Sequence, residues 1–413
     1  MSQCSACFSE LLRPGLDLGT IPLSHDLSAT PADSDLGRKI SFHLIQCKHC
    51  ALVQTIETPG AASFIPREGW VRFNEPENHL DDLASRILAL RDFSSSSSFG
   101  GLSSKDDSLL KKLSANGIKN IWRINPEKDV GFSGNSAGVA WIQEALNFSL
   151  AGQIRQNRGR VDLLLARHFL EHVSDIRSFT EAARELLNPG GLLVIEVPDC
   201  EEGLKIGDAS ILWEEHHICF TSATLERSLL LSGFDIVLKH QYRLPNETCL
   251  VVIATPMEVG EFHSDQCPSP CASEFKCFNS YVSQFSSRRL NLRGLLETWR
   301  KAGPIAIYGA GHHANTFIHA LGVGDLIAFV IDDNPHKAHR FIAGSDIPVF
   351  PSACLKFPEV AVCLSSLGFA AEQRMLSTNA AFSQAGGSFY SMFPDEAGIP
   401  LRWLAGKKMP STL

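Results

Sequence analysis

The stretch from residue 161 to residue 198 constrains the fold more than any other part of the chain. An apolar run from Val161 to Ala166 is long enough for one buried strand, and the pattern then takes a helical period from Ile176 to Leu187. A glycine-rich turn at 188–191 ends that helix, and a second apolar run follows from Leu192 to Val197. A strand, a helix and a second strand in this order predict a parallel crossover unit of an α/β protein.

Polar side chains follow both strands of this unit. His168, Glu171 and His172 come after the first strand, and Asp199 and the run 213–217 come after the second. Ligands of such sheets bind beyond the carboxyl ends of the strands. The sequence therefore predicts that the chemistry takes place at this edge.

Size and charge exclude several classes of protein. The chain has 413 residues, so we expect more than one domain. Its formal net charge of -8 argues against nucleic acid as a partner. There is no run of about 18 apolar residues, and residues 1–30 lack the basic start and apolar core of a secretion signal. We therefore expect a cytoplasmic protein with no membrane partner, whose cysteines are metal ligands or buried thiols.

Two CxxC pairs near the start of the chain predict a structural zinc site. In each pair a tight turn can direct both thiols at one ion, and four thiolates complete a tetrahedral shell. Four protein ligands leave no open position, so a catalytic zinc is not expected there. The predicted ligands are Cys4, Cys7, Cys47 and Cys50. A linker-like stretch holds three further cysteines, for which an irregular loop is favoured over a second metal site: Cys267, Cys271 and Cys277.

The rest of the first half of the chain fits a doubly wound sheet. The serine-rich segment 93–101 predicts a flexible loop, although it stands where the first strand of such a sheet is expected. Apolar patterns predict further elements: helices at 79–90 and 109–113, a strand at 118–124, and an antiparallel hairpin of 234–239 with 249–254.

A second α/β domain is predicted towards the end of the chain. A helix over 279–301 leads into a strand and glycine turn at 304–311, and further strands are expected at 326–331 and 360–364. The turn resembles half of a dinucleotide fingerprint, with Asp332 about 20 residues on where a ribose contact would stand. An enzyme that uses NAD at this domain is therefore an alternative.

Several motifs, in order and nearly end to end, resemble the sugar C-methyltransferase family, which methylates a ring carbon of deoxysugar nucleotides. The matching segments are the two CxxC pairs with residues 16–23 and 51–54, RHFLEHV at 167–173, WEEHHICF at 213–220, and the segments 309–311, 332–337 and 347–349. The resemblance implies a zinc-binding module at 1–60, a methyltransferase-type doubly wound domain at 61–258, and a linker, a helix and a Rossmann-like α/β domain at 259–413.

The resemblance also implies S-adenosylmethionine as methyl donor. The family's Gly-Ser-Asn-Asp-Gly turn corresponds to residues 103–107, where both glycines are replaced, and the acidic ribose-binding residue is replaced by an asparagine. An amide binds a hydroxyl more weakly than a carboxylate does, so weakened donor binding is expected. The residues expected to hold the donor are Gly100, Gly101, Ser104, Asp106 and Asn125.

Carbon methylation beside a ketone requires a base and a group that stabilises the enolate oxygen. We expect His216, with Glu215 beside it, to act as the base and His172 to face the oxyanion. Glu214 has no such role and is expected to be a surface charge. The residues expected to contact a nucleotide-sugar acceptor are Trp213, which replaces a family tyrosine, Trp70, Arg72 and His168.

Three other interpretations of these residues are open. The chain can be a protein that binds a sugar nucleotide without transferring a methyl group, since the donor turn is altered. His168 and His172 also fit an HxxEH zinc-protease helix, or they can simply cap and pack the end of the strand.

Overall fold

The computed structural model describes residues 3–31, 37–57, 59–65, 77–132, 138–258, 267–394 and 401–410. The chain forms two compact units. The first unit comprises Met1–Pro14, Leu44–Glu201 and Glu215–Glu274, and the second comprises Gly15–His43, Glu202–Glu214 and Phe275–Leu413. In the described ranges, every helix is too short or too polar to cross a membrane.

The strands and helices alternate along most of the chain, as the α/β prediction requires. The strands are β1 Leu12–Pro22, β2 Lys39–Cys47, β3 Val53–Thr55, β4 Ser98–Gly101, β5 Asn120–Arg123, β6 Val161–Arg167, β7 Leu187–Pro198, β8 Ile218–Cys219, β9 Phe234–Leu244, β10 Glu247–Pro256, β11 Ile305–Tyr308, β12 Ile327–Ile331, β13 Val349–Phe350, β14 Val362–Ser365, β15 Ser388–Ser391 and β16 Arg402–Gly406. The helices are α1 Ala61–Phe64, α2 Leu80–Ala89, α3 Asp107–Ala115, α4 Pro126–Val130, α5 Val139–Ala145, α6 Phe148–Arg158, α7 Ile176–Leu186, α8 Glu201–Ile206, α9 Ser222–Leu231, α10 Ala272–Arg300, α11 His312–Ala320, α12 Phe369–Thr378 and α13 Ala380–Gln384.

The main sheet of the first unit has the order β5-β4-β6-β7-β10-β9. Strands β4 to β7 pair in parallel, and β10 runs antiparallel to both β7 and β9. The crossover unit β6-α7-β7 and the terminal hairpin are therefore confirmed. Alternate residues of β6 point to opposite faces, so Leu163 packs with α2 and α3 while Leu164 packs with α7.

The expected flexible loop at 93–101 is partly wrong. Residues 98–101 form β4, whose four residues are buried between β5 and β6. The two glycines allow this close packing. A Cβ atom on Gly100 would come within 3.2 Å of the side chains of Trp122 and Val161, and a Cβ on Gly101 within 2.9 Å of Asp106 and Leu110. The composition of the segment suggested flexibility, but the absence of side chains at two positions is what lets the strand enter the core.

A buried ion pair links the carboxyl ends of β6 and β7. Arg167 donates from Nε to Glu196 at 2.7 Å and from Nη1 to the Lys105 carbonyl at 2.6 Å. Both side chains of the pair are at most 1% exposed. Nε2 of His79 lies 3.0 Å from Glu196 Oε1, and Nε2 of His168 lies 3.2 Å from the same oxygen. Burial opposes the negative charge, but these hydrogen bonds and Arg167 hold the pKa of Glu196 well below its usual range.

The second unit contains the other six-stranded sheet, of order β13-β12-β11-β14-β15-β16. Its first five strands pair in parallel and β16 is antiparallel, so the predicted doubly wound domain is confirmed. The long helix before it begins at Ala272 rather than at Asn279. The apolar period starts late in this helix because its first turns carry Ser273, Glu274 and Lys276.

The buried ion pair gives a test of the fold. Arg167→Met should lower the free energy of unfolding by about 3–5 kcal/mol, because it leaves Glu196 buried without its main cationic partner. The measurement is urea unfolding followed by circular dichroism. Arg86→Met, which removes the exposed pair with Asp82, is the control and should change little. A loss below about 1 kcal/mol in Arg167→Met would contradict the central role of this pair.

Candidate active site

The chain turns sharply where β6 ends. His168 has a φ of 45°, in the left-handed region, and a single 3-10 turn follows at Leu170–His172. The two histidines are therefore not on one face of an α-helix, as a zinc-protease HxxEH motif requires. The protease interpretation is excluded, and His172 is left at the carboxyl edge of the sheet.

A short strand brings the second histidine motif to the same edge. Strand β8 pairs with β3, and the Thr55 amide donates to the His217 carbonyl at 2.8 Å. The His217 amide in turn donates to the Glu171 carbonyl at 2.8 Å. These backbone bonds join the segment after residue 214 to the turn after β6, as the sequence predicts for a shared site.

The rings of His172 and His216 meet there. Their centroids are 4.8 Å apart and the rings are nearly perpendicular, at 86°. Nδ1 of His172 lies 2.9 Å from the Glu215 carbonyl, which can only accept, so Nδ1 carries the hydrogen. His216 and Glu215 are half-buried. The three predicted catalytic residues are thus within one small region.

His217, by contrast, is not suited to proton transfer near neutral pH. It is 6% exposed and its ring packs 5.4 Å from Phe64. Burial, with a smaller contribution from the charge of His172, lowers the pKa of His217 to about 3. Of the two adjacent histidines, His216 is therefore the better candidate for a base.

Glu171 lies between these groups. Its side chain is 2% exposed, with Oε1 3.6 Å from His168 Nδ1 and 4.0 Å from His172 Nε2. Neither carboxylate oxygen has a hydrogen-bond partner in the part of the chain that the structure describes. The sequence placed Glu171 at this edge but did not indicate its burial.

His168 was expected to contact the acceptor, but its side chain is buried and contacts other groups of the protein. It is 3% exposed, and its Nε2 faces Glu196. This arrangement favours packing and support of the strand end. Two other expected acceptor contacts, Trp70 and Arg72, lie outside the described residues.

In the turn expected to hold the methyl donor, the polar groups form hydrogen bonds within the chain. Gly101 faces Asp106, as described above, and the Asp106 carboxylate accepts from the amides of Leu102, Ser103 and Arg167 at 2.9 to 3.0 Å. Burial raises the pKa of Asp106 to about 6 despite these bonds. Ser104 begins the short 3-10 turn Ser104–Asp106. The turn is thus stabilised by hydrogen bonds within the chain.

Asn125, expected to contact the donor ribose, caps helix α4. Its Oδ1 accepts from the amides of Glu127 and Lys128 at 3.0 and 2.9 Å. An N-cap of this kind stabilises the first helical turn. The Asn125 Oδ1 atom, which would accept from a ribose hydroxyl, therefore already accepts two hydrogen bonds from the backbone.

Trp213 and Glu214 belong to the second unit. Trp213 stacks on His312 with ring centroids 4.2 Å apart and an angle of 20°. Glu214 was expected at the surface, but it is 1% exposed and accepts from the Ser24 amide at 2.5 Å. The expectation was wrong because Ser24, which is distant in sequence, donates a hydrogen bond that compensates for the burial of the Glu214 carboxylate.

The glycine turn after β11 does not present the predicted ribose contact. The Asp332 carboxylate accepts from the Ala310 amide at 3.0 Å and from Lys337 Nζ at 2.7 Å. Both oxygens are used within the turn region, since the other accepts from the Asn334 amide. The geometry gives no support to NAD at this domain.

The four paired cysteines come together in the first unit. Sγ of Cys4 lies 3.4 Å from Sγ of Cys50, and Sγ of Cys7 lies 3.5 Å from Sγ of Cys47. All four sulfurs are within 4.8 Å of one another, whereas sulfurs around a tetrahedral zinc lie about 3.8 Å apart. The hydrogen bond from Cys4 lowers the pKa of Cys47 to about 6. The donor set fits a tetrahedral metal ion.

The main residues that sequence reasoning missed are Arg167 and Glu196. Both interrupt apolar strand runs, in LLLAR and LLVIEV. A charge within a buried strand is rare unless it is paired, so this was the available signal.

Two family models and a curated relative match this chain. Residues 108–239 match the family described as a methyltransferase domain, and residues 270–394 match the C-methyltransferase C-terminal domain. The first match begins after the altered turn. C-methyltransferase NovU of Streptomyces niveus is 21% identical over 366 residues, which are 85% of this chain and 86% of that protein.

The solved structures that resemble this chain are more distant. Magnesium protoporphyrin IX methyltransferase ChlM of Synechocystis PCC 6803, with bound S-adenosylhomocysteine, is 15% identical, covers 46% of this chain and 91% of its own, and has a TM-score of 0.30. The [4+2]-cyclase SpnF is 11% identical over 43% of this chain and 80% of its own, with a TM-score of 0.29. Neither score carries weight beside the family matches.

The first unit is thus that of an S-adenosylmethionine-dependent methyltransferase. Together with the match to the C-methyltransferase C-terminal domain and the similarity to NovU, this identifies the chain as a C-methyltransferase. The sequence-based assignment is confirmed at that level.

Proposed function

We propose that this C-methyltransferase acts on a carbon next to a ketone of a nucleotide-linked sugar. The observation that carries the proposal is the meeting of His172 and His216 at the carboxyl edge of the first sheet. The nucleotide-sugar class rests on the motif around Trp213 and on its resemblance to the sugar C-methyltransferases. S-adenosylmethionine, when bound, supplies the electrophilic methyl group.

His216 takes the proton from the carbon beside the ketone in this proposal. It is half-buried, so an acceptor can reach it, and its neighbour His217 is too deeply buried for that task. Glu215 precedes it on the same loop and favours the protonated imidazole that forms when the proton is taken. A histidine is suited to this step near physiological pH.

His172 faces the enolate oxygen that develops as the proton leaves. The Glu215 carbonyl holds Nδ1 and so orients the ring. When Nε2 also carries a proton, it can donate a hydrogen bond to that oxygen. A donor positioned in advance lowers the barrier without reorganisation during the reaction.

The cysteine cluster binds one structural zinc ion in this proposal. The four sulfurs are close enough to surround it, and the His49 amide donates to Cys47 Sγ at 3.3 Å, a bond that supports a thiolate ligand. Purified protein should therefore contain about one zinc per chain.

The zinc content can be measured by metal analysis of the purified chain. Cys47→Ser should lose most of the zinc and unfold at a lower temperature, because the metal's binding energy is part of the folding energy. Cys354→Ser, which changes an exposed thiol elsewhere, should keep the zinc of the parent. Zinc absent from the parent, or unchanged in Cys47→Ser, would rule the site out.

We expect S-adenosylmethionine to bind weakly, because Asp106 and Asn125 are engaged by the chain. Asn125→Asp should strengthen binding on the order of tenfold in calorimetric titration, since one carboxylate oxygen can cap α4 while the second accepts from the ribose hydroxyls. Aspartate is also a good N-cap, so α4 should persist.

The control for the donor titration is Asn147→Asp, the same change at the N-cap of α6. It should leave donor affinity unchanged. Low-micromolar binding by the parent would contradict the expected weakness, and no gain in Asn125→Asp would show that this residue does not contact the donor.

The roles of the catalytic residues can be tested without the donor. The parent should exchange the proton beside the ketone of a keto-sugar nucleotide with deuterated water, as followed by NMR. His216→Ala should slow exchange by about 10²–10⁴-fold and Glu215→Gln should slow it less. Glu214→Gln is the control, because it keeps an oxygen to accept from Ser24, and it should match the parent.

Two results would contradict these roles. Exchange that survives in His216→Ala but is lost in His172→Ala would make His172 the base. A parent that exchanges no keto-sugar nucleotide would overturn the proposed acceptor class.

A further inference from the structure

The Glu171 carboxylate lies in an unusual environment for a charged group. The residue is 1% exposed, and neither oxygen finds a hydrogen-bond donor among the described residues. Burying an ionised carboxylate without compensation costs several kcal/mol. The carboxyl group must therefore either take up a proton or have a cation close to it.

The nearest side-chain nitrogens do not supply that compensation in their neutral forms. His172 uses Nδ1–H for the Glu215 carbonyl, so its Nε2, 4.0 Å from Glu171 Oε1, is the nitrogen with the lone pair. Nδ1 of His168 lies 3.6 Å from the same oxygen, and Nε2 of this ring faces the Glu196 carboxylate. Two imidazole nitrogens therefore face the Glu171 carboxylate.

We propose that Glu171, His172 and His216 bind a divalent transition-metal ion such as zinc. One ligand atom from each of the three lies within 4.8 Å of the other two. Two imidazoles and a carboxylate are a donor set that zinc accepts, and three protein ligands leave an open position. The hydrogen bond from His172 Nδ1 to a carbonyl is the support that metal-binding histidines usually have.

The site is reachable from solvent. His172 and His216 are partly exposed whereas Glu171 is buried, so an ion can enter from the histidine side and meet the carboxylate at the bottom. The ligand atoms lie within 4.8 Å of one another, whereas ligand atoms about 2.0 Å from a tetrahedral ion lie about 3.3 Å apart, so the three donors move closer together when an ion binds.

Metal binding at this site would inhibit proton abstraction, a consequence that rests on the proposed function. A metal ion on His216 occupies the lone pair that takes the substrate proton, so metal and proton abstraction exclude each other. The site would make the enzyme sensitive to zinc in excess of the ion held by the four cysteines.

The test uses the full chain with zinc already bound at the cysteines. Cobalt(II) is added, and its visible absorption distinguishes nitrogen and oxygen ligands from thiolates, which give an intense charge-transfer band. The parent should take up one further cobalt ion per chain without that band. Glu171→Gln and His216→Ala should each weaken uptake at least tenfold, and His240→Ala, which removes an imidazole elsewhere in the first unit, should not.

Glu171→Gln should also be no less stable than the parent in the absence of added metal, because it removes a buried charge. This thermal-unfolding measurement separates loss of the site from loss of folding. A parent without a second cobalt site, or equal uptake in the parent, Glu171→Gln and His216→Ala, would overturn the proposal.

Proton exchange in the presence of added zinc distinguishes the two proposals. Zinc should inhibit exchange by the parent, and inhibition should need at least tenfold more zinc in Glu171→Gln. Inhibition that is equal in both variants would overturn the site at Glu171. If no acceptor supports exchange, the cobalt titration still decides the metal site on its own.

Discussion

The ion pair between Arg167 and Glu196 is the interaction on which the first unit depends. It joins neighbouring parallel strands at the edge where the site is built, and one arm of Arg167 reaches the Lys105 carbonyl in the turn after β4. Three consecutive elements of the sheet are thereby fixed at their carboxyl ends. Few substitutions of Arg167 or Glu196 are expected to be tolerated, because removing either partner leaves the other charge buried without compensation.

The same network explains why the donor turn differs from that of the family. The family's glycines are replaced here, and the Asp106 carboxylate accepts from three backbone amides. The turn is therefore stabilised from within the protein.

Local patterns were enough to predict most of the fold. The runs Val161–Ala166 and Leu192–Val197 identified β6 and β7, because parallel strands buried on both faces are continuously apolar. Strand β4 was missed since serine and glycine suggest flexibility, whereas its stability comes from neighbours on both sides. The burial of Glu214 was also beyond prediction, because its hydrogen-bond donor, the Ser24 amide, comes from a distant part of the chain.

The pairing of β3 with β8 links the loop that carries His216 to the cysteine knuckles. Strand β3 follows directly after Cys50, and its Thr55 amide holds the loop that carries His216. Two residues of strand are too few to persist alone, so the order of the loop depends on the integrity of the cysteine knuckles. Any change that disturbs the knuckles would therefore also disturb the position of His216.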